Sequence, residues 1–236
     1  MNKILILAYV LSTFTYASSY YAKSEPIFTY NVKSSVSSKV LYVNNDIESK
    51  NANDTVIIRL DDSIDKINLK ESNVKLINLN KILVLEKNTL KSFSKVSSKS
   101  RFDKDNQKIK ILNISSNISD LKTKIATFKN SIQNKTLIEK NNYIDNIAVE
   151  IGDYITPGKI LYTAHDISKA KLVIYIPIKE IEDIKNRIIV LNDKETKLKI
   201  TKLYKVADKK HLSSVKCEIN IDTPVQLSKL IKVEFK

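Results

Sequence analysis

The sequence predicts an α+β protein: a small β-domain interrupted by a long antiparallel α-helical hairpin, then a small β-barrel. Three observations carry this. Two β-like segments, Val36 to Asp62 and Asn141 to Ser168, lie far apart in the 236-residue chain. Between them the apolar positions switch to alternating spacings of three and four, with no proline or glycine before Gly152. From Lys171 onward short alternating runs return, with one helix-like interruption.

Taken in order, Lys3 precedes the apolar run Ile4 to Ala17, and Ser18-Ser19 follow. This order of charge, apolar core and small residues predicts a secretory signal peptide over residues 1–17. The run is shorter than the ~20 residues a spanning helix needs; an uncleaved N-terminal segment is the alternative. No cysteine lies just after it, which argues against a lipoprotein. Residues 18–35 form an N-terminal segment with a candidate barrel strand starting near Ile27.

Residues 36–62 read as two or three short strands. Val40-Leu41, Val43, Ile47, Val56-Ile57-Ile58 and Leu60 are apolar, and Asn44-Asn45-Asp46 and Asn51 to Asp54 supply turns. Asp61-Asp62-Ser63 then offers a helix cap. Residues 63–140 are assigned to the hairpin. Leu76, Leu79, Leu83, Leu90 and Phe93 form one stripe, with Glu86 its polar exception. Ile111, Ile114, Ile118, Leu121, Ile125, Phe128 and Ile132 form the other. Two arms of equal length joined by Ser97-Ser98-Lys99-Ser100 cover each other best by folding back, with Ser100 or Asp103 capping the second helix. One long helix in a parallel dimer is the competing reading, and the midpoint break in the stripe argues against it.

Residues 141–168 return to strands. Ile144, Ile147, Val149 and Ile151 alternate, Gly152-Asp153 turns, and Thr156-Pro157-Gly158 fits a type II turn before a strand over Ile160 to Ala164. Val40 and Ile160 are expected to share one core. Residues 169–236 then carry Leu172 to Ile176, a short helix over Ile178 to Lys185, and strands at Ile188 to Val190, Leu198 to Ile200, Val215 to Ile221 and Ile231 to Phe235, the content of a small barrel.

Composition narrows the chemistry. The net charge is +14, but lysine is dispersed and no basic–aromatic motif accompanies it, so nucleic acid is not expected as a partner. The two glycines, Gly152 and Gly158, form no phosphate loop. One cysteine, Cys217, cannot make an intrachain disulfide, and its alternating neighbourhood suits a buried strand residue. Two scattered histidines, His165 and His211, make no metal site. No catalytic, metal-binding or cofactor-binding residue is assigned, and no enzyme activity is expected.

The stretch Ile151-Gly152-Asp153-Tyr154-Ile155-Thr156-Pro157-Gly158-Lys159-Ile160-Leu161 resembles the Val-Gly-x-x-Val-x-x-Gly-x-x-Leu pattern of the periplasmic membrane fusion proteins, HlyD-type adaptor subunits of efflux and secretion systems. The first β-half lacks the family's glycines, with Asn45-Asp46 and Ala52-Asn53 at its turns. The resemblance implies a lipoyl-like domain in two halves (36–62 and 141–168), the hairpin at 63–140 and a β-barrel at 169–236. It further implies a periplasmic location at the inner membrane, a homo-oligomeric ring (often of six subunits), and two partners: an inner-membrane transporter of ABC or RND type and a TolC-type outer-membrane channel. Gly152, Pro157 and Gly158 would be the structural turns of the second half. At the hairpin tip, relatives carry an arginine, a leucine four residues on and a serine seven further. Ser100 matches the serine, Phe93 stands for the leucine and Thr89 for the arginine, with Lys91 or Arg101 near enough to substitute. The tip residues implied to bind a partner are therefore Phe93, Ser100, Arg101 and Phe102. Two other readings stay open. One is an exported structural coiled coil with no transporter. The other is a lipoyl or biotinyl carrier, whose swinging-arm lysine would need the turn that the hairpin occupies here.

Overall fold

The computed structural model describes residues 18–207, 210–222 and 227–236. The signal-like segment 1–17 lies outside the described residues. Two compact units emerge among the described residues, one formed by residues 30–164 and the other by residues 18–29 together with the described residues from His165 onward. The chain passes between them within two long strands, β1 (Ser19–Lys33) and β7 (Ile160–Pro177).

In the unit of residues 30–164 the elements are β2 (Ser38–Val43), β3 (Thr55–Leu60), α1 (Ser63–Lys95), α2 (Arg101–Asn134), β4 (Thr136–Glu139), β5 (Tyr143–Ile147) and β6 (Tyr154–Ile155). One sheet runs β4-β3-β2-β6. It joins sequence-distant segments: Ser38 pairs with Ile155 and Lys39 with Tyr154. The Val40 amide donates to the Asp153 carbonyl at 2.8 Å, and the Gly152 amide donates to the Val40 carbonyl at 2.9 Å. The β-domain thus closes across the whole helical insertion. Its core gathers Val40, Ile57, Ile58, Leu60, Ile144, Ile155, Leu161 and Ala164 from both sides of that insertion. Each large aliphatic side chain taken fully from water there contributes about 1.5–3 kcal/mol.

Three expectations for this unit need correction. Ile160 is not in this core: it is 38% exposed and its neighbour Leu161 is buried. A one-residue parity error exchanges the faces of a strand. The helical insertion ends at Asn134, and residues 136–139 form β4, which pairs with β3 from Arg59↔Thr136 to Thr55↔Glu139. The alternation through Ile151 does not make a continuous strand. β5 stops at Ile147, and Ile151 sits exposed at the turn that Gly152 requires. Of the trio Asp61-Asp62-Ser63 at the start of α1, Asp61 supplies the side-chain acceptor, its Oδ1 taking the Ser63 amide at 3.0 Å, while Asp62 makes no side-chain cap.

The other unit holds the outer parts of β1 and β7, the short helix α3 (Ile181–Ile184) after a 3-10 turn, and β8 (Ile189–Leu191), β9 (Lys194–Glu195), β10 (Lys202–Ala207), β11 (Ser214–Ile221) and β12 (Leu230–Phe235). Its strand order is β10-β11-β7-β1-β12-β8-β9. Period-two burial places Leu172, Ile174 and Ile176 of β7 with Cys217, Ile219 and Ile221 of β11 and with Ile231, Val233 and Phe235 of β12 in one core. Leu198 to Ile200, expected as a strand, alternates in burial yet joins no ladder. The Thr196 hydroxyl, turned onto the Ile189 carbonyl at 2.7 Å, helps anchor that segment instead. β1 begins at Ser19, well before Ile27, and pairs with β12 from Ser19↔Glu234 to Lys23↔Leu230. No helix among the described residues is long and apolar enough to cross a membrane.

Candidate functional site: the helical rod and its tip

The rod's geometry follows from its stripes. On α1 the least exposed positions recur as Asp65, Leu69, Ser72, Leu76, Leu79, Leu83, Glu86, Leu90 and Phe93, alternating by four and three. On α2 they are Gln107, Ile111, Ile114, Ile118, Leu121, Ile125, Phe128 and Ile132. The side-chain bonds between the helices fix their direction. Asp65 meets Ser131 and Lys135, while Glu86 meets Gln107 and Lys110. As one number rises the other falls, so α1 and α2 run antiparallel. At 1.5 Å per residue, 33 and 34 residues give a rod of about 50 Å.

Two polar clusters interrupt the apolar seam. At the root, Ser131 Oγ donates to Asp65 Oδ2 at 2.6 Å, and Lys135 Nζ lies 2.8 Å from the same oxygen. Burial opposes the Asp65 charge, but bonds from Lys135 and Ser131 outweigh it and hold its carboxyl below the usual carboxylate range. Two-thirds of the way up α1, Gln107 Nε2 donates to the Glu86 carbonyl at 2.9 Å and to Glu86 Oε2 at 2.6 Å, and Lys110 pairs with the other oxygen. Hydrogen bonds from Lys110 and then Gln107 hold the Glu86 carboxyl low as well. Glu86 is thus a seam residue with a buried amide as its partner, and the break it makes in the sequence stripe has a structural use. A one-turn slip of either helix would leave both clusters unpaired, so they select one register.

The tip is built by a cap. Ser100 Oγ accepts from the Asp103 amide at 3.1 Å, and Asp103 Oδ2 accepts from the Ser100 amide at 3.3 Å, a reciprocal capping box. Ser100 is therefore engaged within the chain. Phe93 is half-buried at the seam's end with Lys99 Nζ 4.7 Å from its ring centre. Thr89 donates to the Leu85 carbonyl at 3.1 Å. Arg101 and Phe102 point outward: the Arg101 side chain is 96% exposed and Phe102 is 73% exposed. Val96 and Lys99, the latter within the expected turn, share this end of the rod. Phe102, Arg101, Val96 and Lys99 give the tip an apolar and cationic surface.

The turns of the second β-half take the geometry their residues favour. The Lys159 amide donates to the Thr156 carbonyl at 3.1 Å around Pro157-Gly158, with Gly158 at φ +89°. Gly152 sits at φ +101° where the Asp153 amide donates to the Glu150 carbonyl. The Gly158 amide also donates to Ser34, tying this turn to the chain before β2.

Among the described residues no group of metal-ligating side chains comes together. Cys217 is buried in β11, and desolvation pushes its thiol up to about 12, which keeps it protonated and unreactive at neutral pH. His211 stacks on Tyr175 with ring centres 3.9 Å apart, and His165 Nδ1 lies 2.9 Å from the Thr29 hydroxyl. The chemistry on offer is surface recognition along and at the end of a stiff rod.

No protein-family model matches the chain, and no curated protein matches its sequence. Solved structures do match its shape. MacA from Actinobacillus actinomycetemcomitans superposes with a TM-score of 0.73 at 15% identity, covering 93% of this chain and 78% of that one. The membrane fusion protein Spr0693 from Streptococcus pneumoniae R6 gives 0.69 at 7% identity, covering 93% and 98%. A MacA–MexA chimera containing the Pseudomonas aeruginosa MexA alpha-hairpin domain gives 0.69 at 12%, covering 93% and 80%. The chain therefore has the fold of the membrane fusion proteins. At these identities the likeness establishes fold.

Proposed function

We propose that this protein is a periplasmic adaptor subunit, joining an inner-membrane transporter of ABC or RND type to a TolC-type outer-membrane channel for efflux or secretion. One observation carries the reading: a β-domain that closes across an inserted antiparallel rod, through Ser38↔Ile155 and the Val40–Asp153 bond. That arrangement holds a stiff arm at a fixed base, which is what a spacer between two membranes needs. In this reading residues 36–62 and 141–168 are the halves of a lipoyl-like sandwich, and the sheet from β7 to β12 is a β-barrel. The copies form a ring. The role is mechanical and needs neither catalysis nor a cofactor. The tip contact rests on Phe102 and Arg101, supported by Val96 and Lys99, with Ser100 and Phe93 shaping the end of the rod.

The test is photo-crosslinking in cells. A crosslinker at Phe102 should trap an outer-membrane channel, and one on an exposed strand position such as Tyr204 should trap an inner-membrane transporter. Adducts only between copies of the chain would favour a structural coiled coil and sink the adaptor reading.

A further inference from the structure

The outward side of α1 is not a plain solvated face. Opposite the seam, Ile67, Lys70, Val74, Ile77, Lys81 and Val84 recur at spacings of three, four, three, four and three. The four aliphatic members are between 47% and 58% exposed, and both lysines are exposed. This is a second heptad stripe on one helix, and the described chain leaves it uncovered. The root half of α2 lacks such a stripe: between Asn113 and Asn130 its exposed positions are Lys, Asn, Ser, Thr and Asp, with Ala126 alone apolar, and the large exposed apolar residues of α2 (Phe102, Ile109 and Leu112) lie only toward the tip.

Charge identifies the occupant. Residues 63–134 hold fifteen Lys and Arg against six Asp and Glu, so the rod carries +9 of the chain's +14. On α1 the seven lysines all lie off the seam, and Glu71 is the one carboxylate off it. Two lysines sit inside the second stripe itself, eleven residues apart, about 16 Å along the axis. A lysine at a seam position selects a partner that offers a carboxylate opposite it. A second copy of the rod meets that demand poorly: neither of its helices carries two carboxylates eleven residues apart, Glu86 is already engaged by Gln107 and Lys110, and the copy brings the same +9. A lipid surface is the poorer fit too, since the stripe is a narrow Ile/Val seam without the aromatic anchors of interfacial helices.

We propose that this face of α1 docks an acidic amphipathic helix of another protein. Its carboxylates stand eleven residues apart to meet Lys70 and Lys81, and its aliphatic side chains cover Ile67, Val74, Ile77 and Val84. The inference rests on the antiparallel rod alone and stands or falls apart from the tip and transporter contacts above.

The test uses the full chain and three synthetic helical peptides of three heptads. They share one aliphatic stripe and carry Glu, Gln or Lys at two stripe positions eleven apart. By fluorescence anisotropy at low salt, the Glu peptide should bind at least about tenfold more tightly than the Gln peptide, with the preference shrinking as salt is raised. Lys70→Glu with Lys81→Glu should reverse the order of the Glu and Lys peptides while helix content by circular dichroism stays unchanged. Val74→Asn with Ile77→Asn should weaken both chain–peptide pairs. Equal binding of Glu and Gln peptides, or no reversal on charge exchange, would overturn the proposal. So would self-association that Val74→Asn with Ile77→Asn abolishes, or capture by phosphatidylglycerol vesicles, lost on charge exchange, with no peptide binding.

Discussion

The two helices of the rod are nearly equal in length and yet differ in how they are used. α2 buries Gln107, Ile114, Ile118, Leu121 and Ile125, whereas α1 buries nothing completely. α1 carries a second aliphatic stripe on its far side, and α2 over its root half is polar there. The stripe of α2 is spent on its partner within the chain. α1 holds that partner with half-covered leucines and keeps a face in reserve. Apolar residues on one helix face thus define a fold, and the same residue types on the opposite face define a possible contact; burial tells the two apart.

The sharpest way to break this comparison is to empty the α2 seam. Ile118→Ala, Leu121→Ala and Ile125→Ala should each cost stability near the low end of about 2–5 kcal/mol, because the facing α1 leucines are only half-covered. The triple variant should lose helical ellipticity at 222 nm in a transition below that of the β-domain. An unchanged helical signal and midpoint would mean that the seam does not hold the rod together.

The root cluster comes next. Asp65→Asn leaves Lys135 buried without its charge partner and should cost about 1–3 kcal/mol. The pH dependence has a definite sign. Asp65 and Glu86 are held below their ordinary values in the folded chain. Their contribution is fully present above the unfolded carboxylate pKa and is lost as pH falls through the lower folded values. Thermal melts of the wild-type rod should therefore weaken below about pH 4, and Asp65→Asn should flatten that slope. An equal slope in both would remove the root ion pair from the account.

Smaller again is the cap. Ser100→Ala removes the bond to the Asp103 amide and should cost about 1 kcal/mol. The loss should appear as faster amide exchange in the first turn of α2, with the root unaffected. Uniform exchange changes along the rod would argue against a local cap.

These elements also show what the sequence could convey. The rod was legible because its period is local: Ile111 to Ile132 needs no distant partner to be recognised, and Ser100 and Asp103 were both readable as caps. Gln107 was readable in principle, since it continues the α2 stripe four residues before Ile111, but a polar side chain at a seam position makes sense only once Glu86 is seen across from it. The β-domain was legible in outline through Gly152 and Pro157-Gly158, whose turns are fixed by their own backbone limits. Its register was not. Ile160 and Leu161 are equally apolar, and only pairing across the insertion decides which faces inward. β4 was hidden for the same reason: Thr136 to Glu139 is too short to show a period and is a strand because β3 lies beside it. At the tip, Ser100 fitted a motif inherited by resemblance, yet its hydroxyl is engaged by Asp103, and the exposed surface is the Arg101–Phe102 pair beside Val96 and Lys99.

The smallest effect on the isolated chain should come from α1's outward stripe. Ile67→Gln with Val74→Gln removes aliphatic side chains that touch water already, so each should change stability by less than about 0.5 kcal/mol. The same number of substitutions on the α2 seam should cost several times more. If the outward pair instead lowers the helical midpoint as much as Ile118→Ala does, that face is covered within the chain or by its own copies, and the asymmetry between α1 and α2 disappears. If the midpoint holds while recognition of an acidic helix is lost, folding and recognition are carried by opposite faces of a single helix. The seam of α1 can then tolerate half-covered leucines because the β-domain, closed through Val40 and Asp153, fixes the helix at its root.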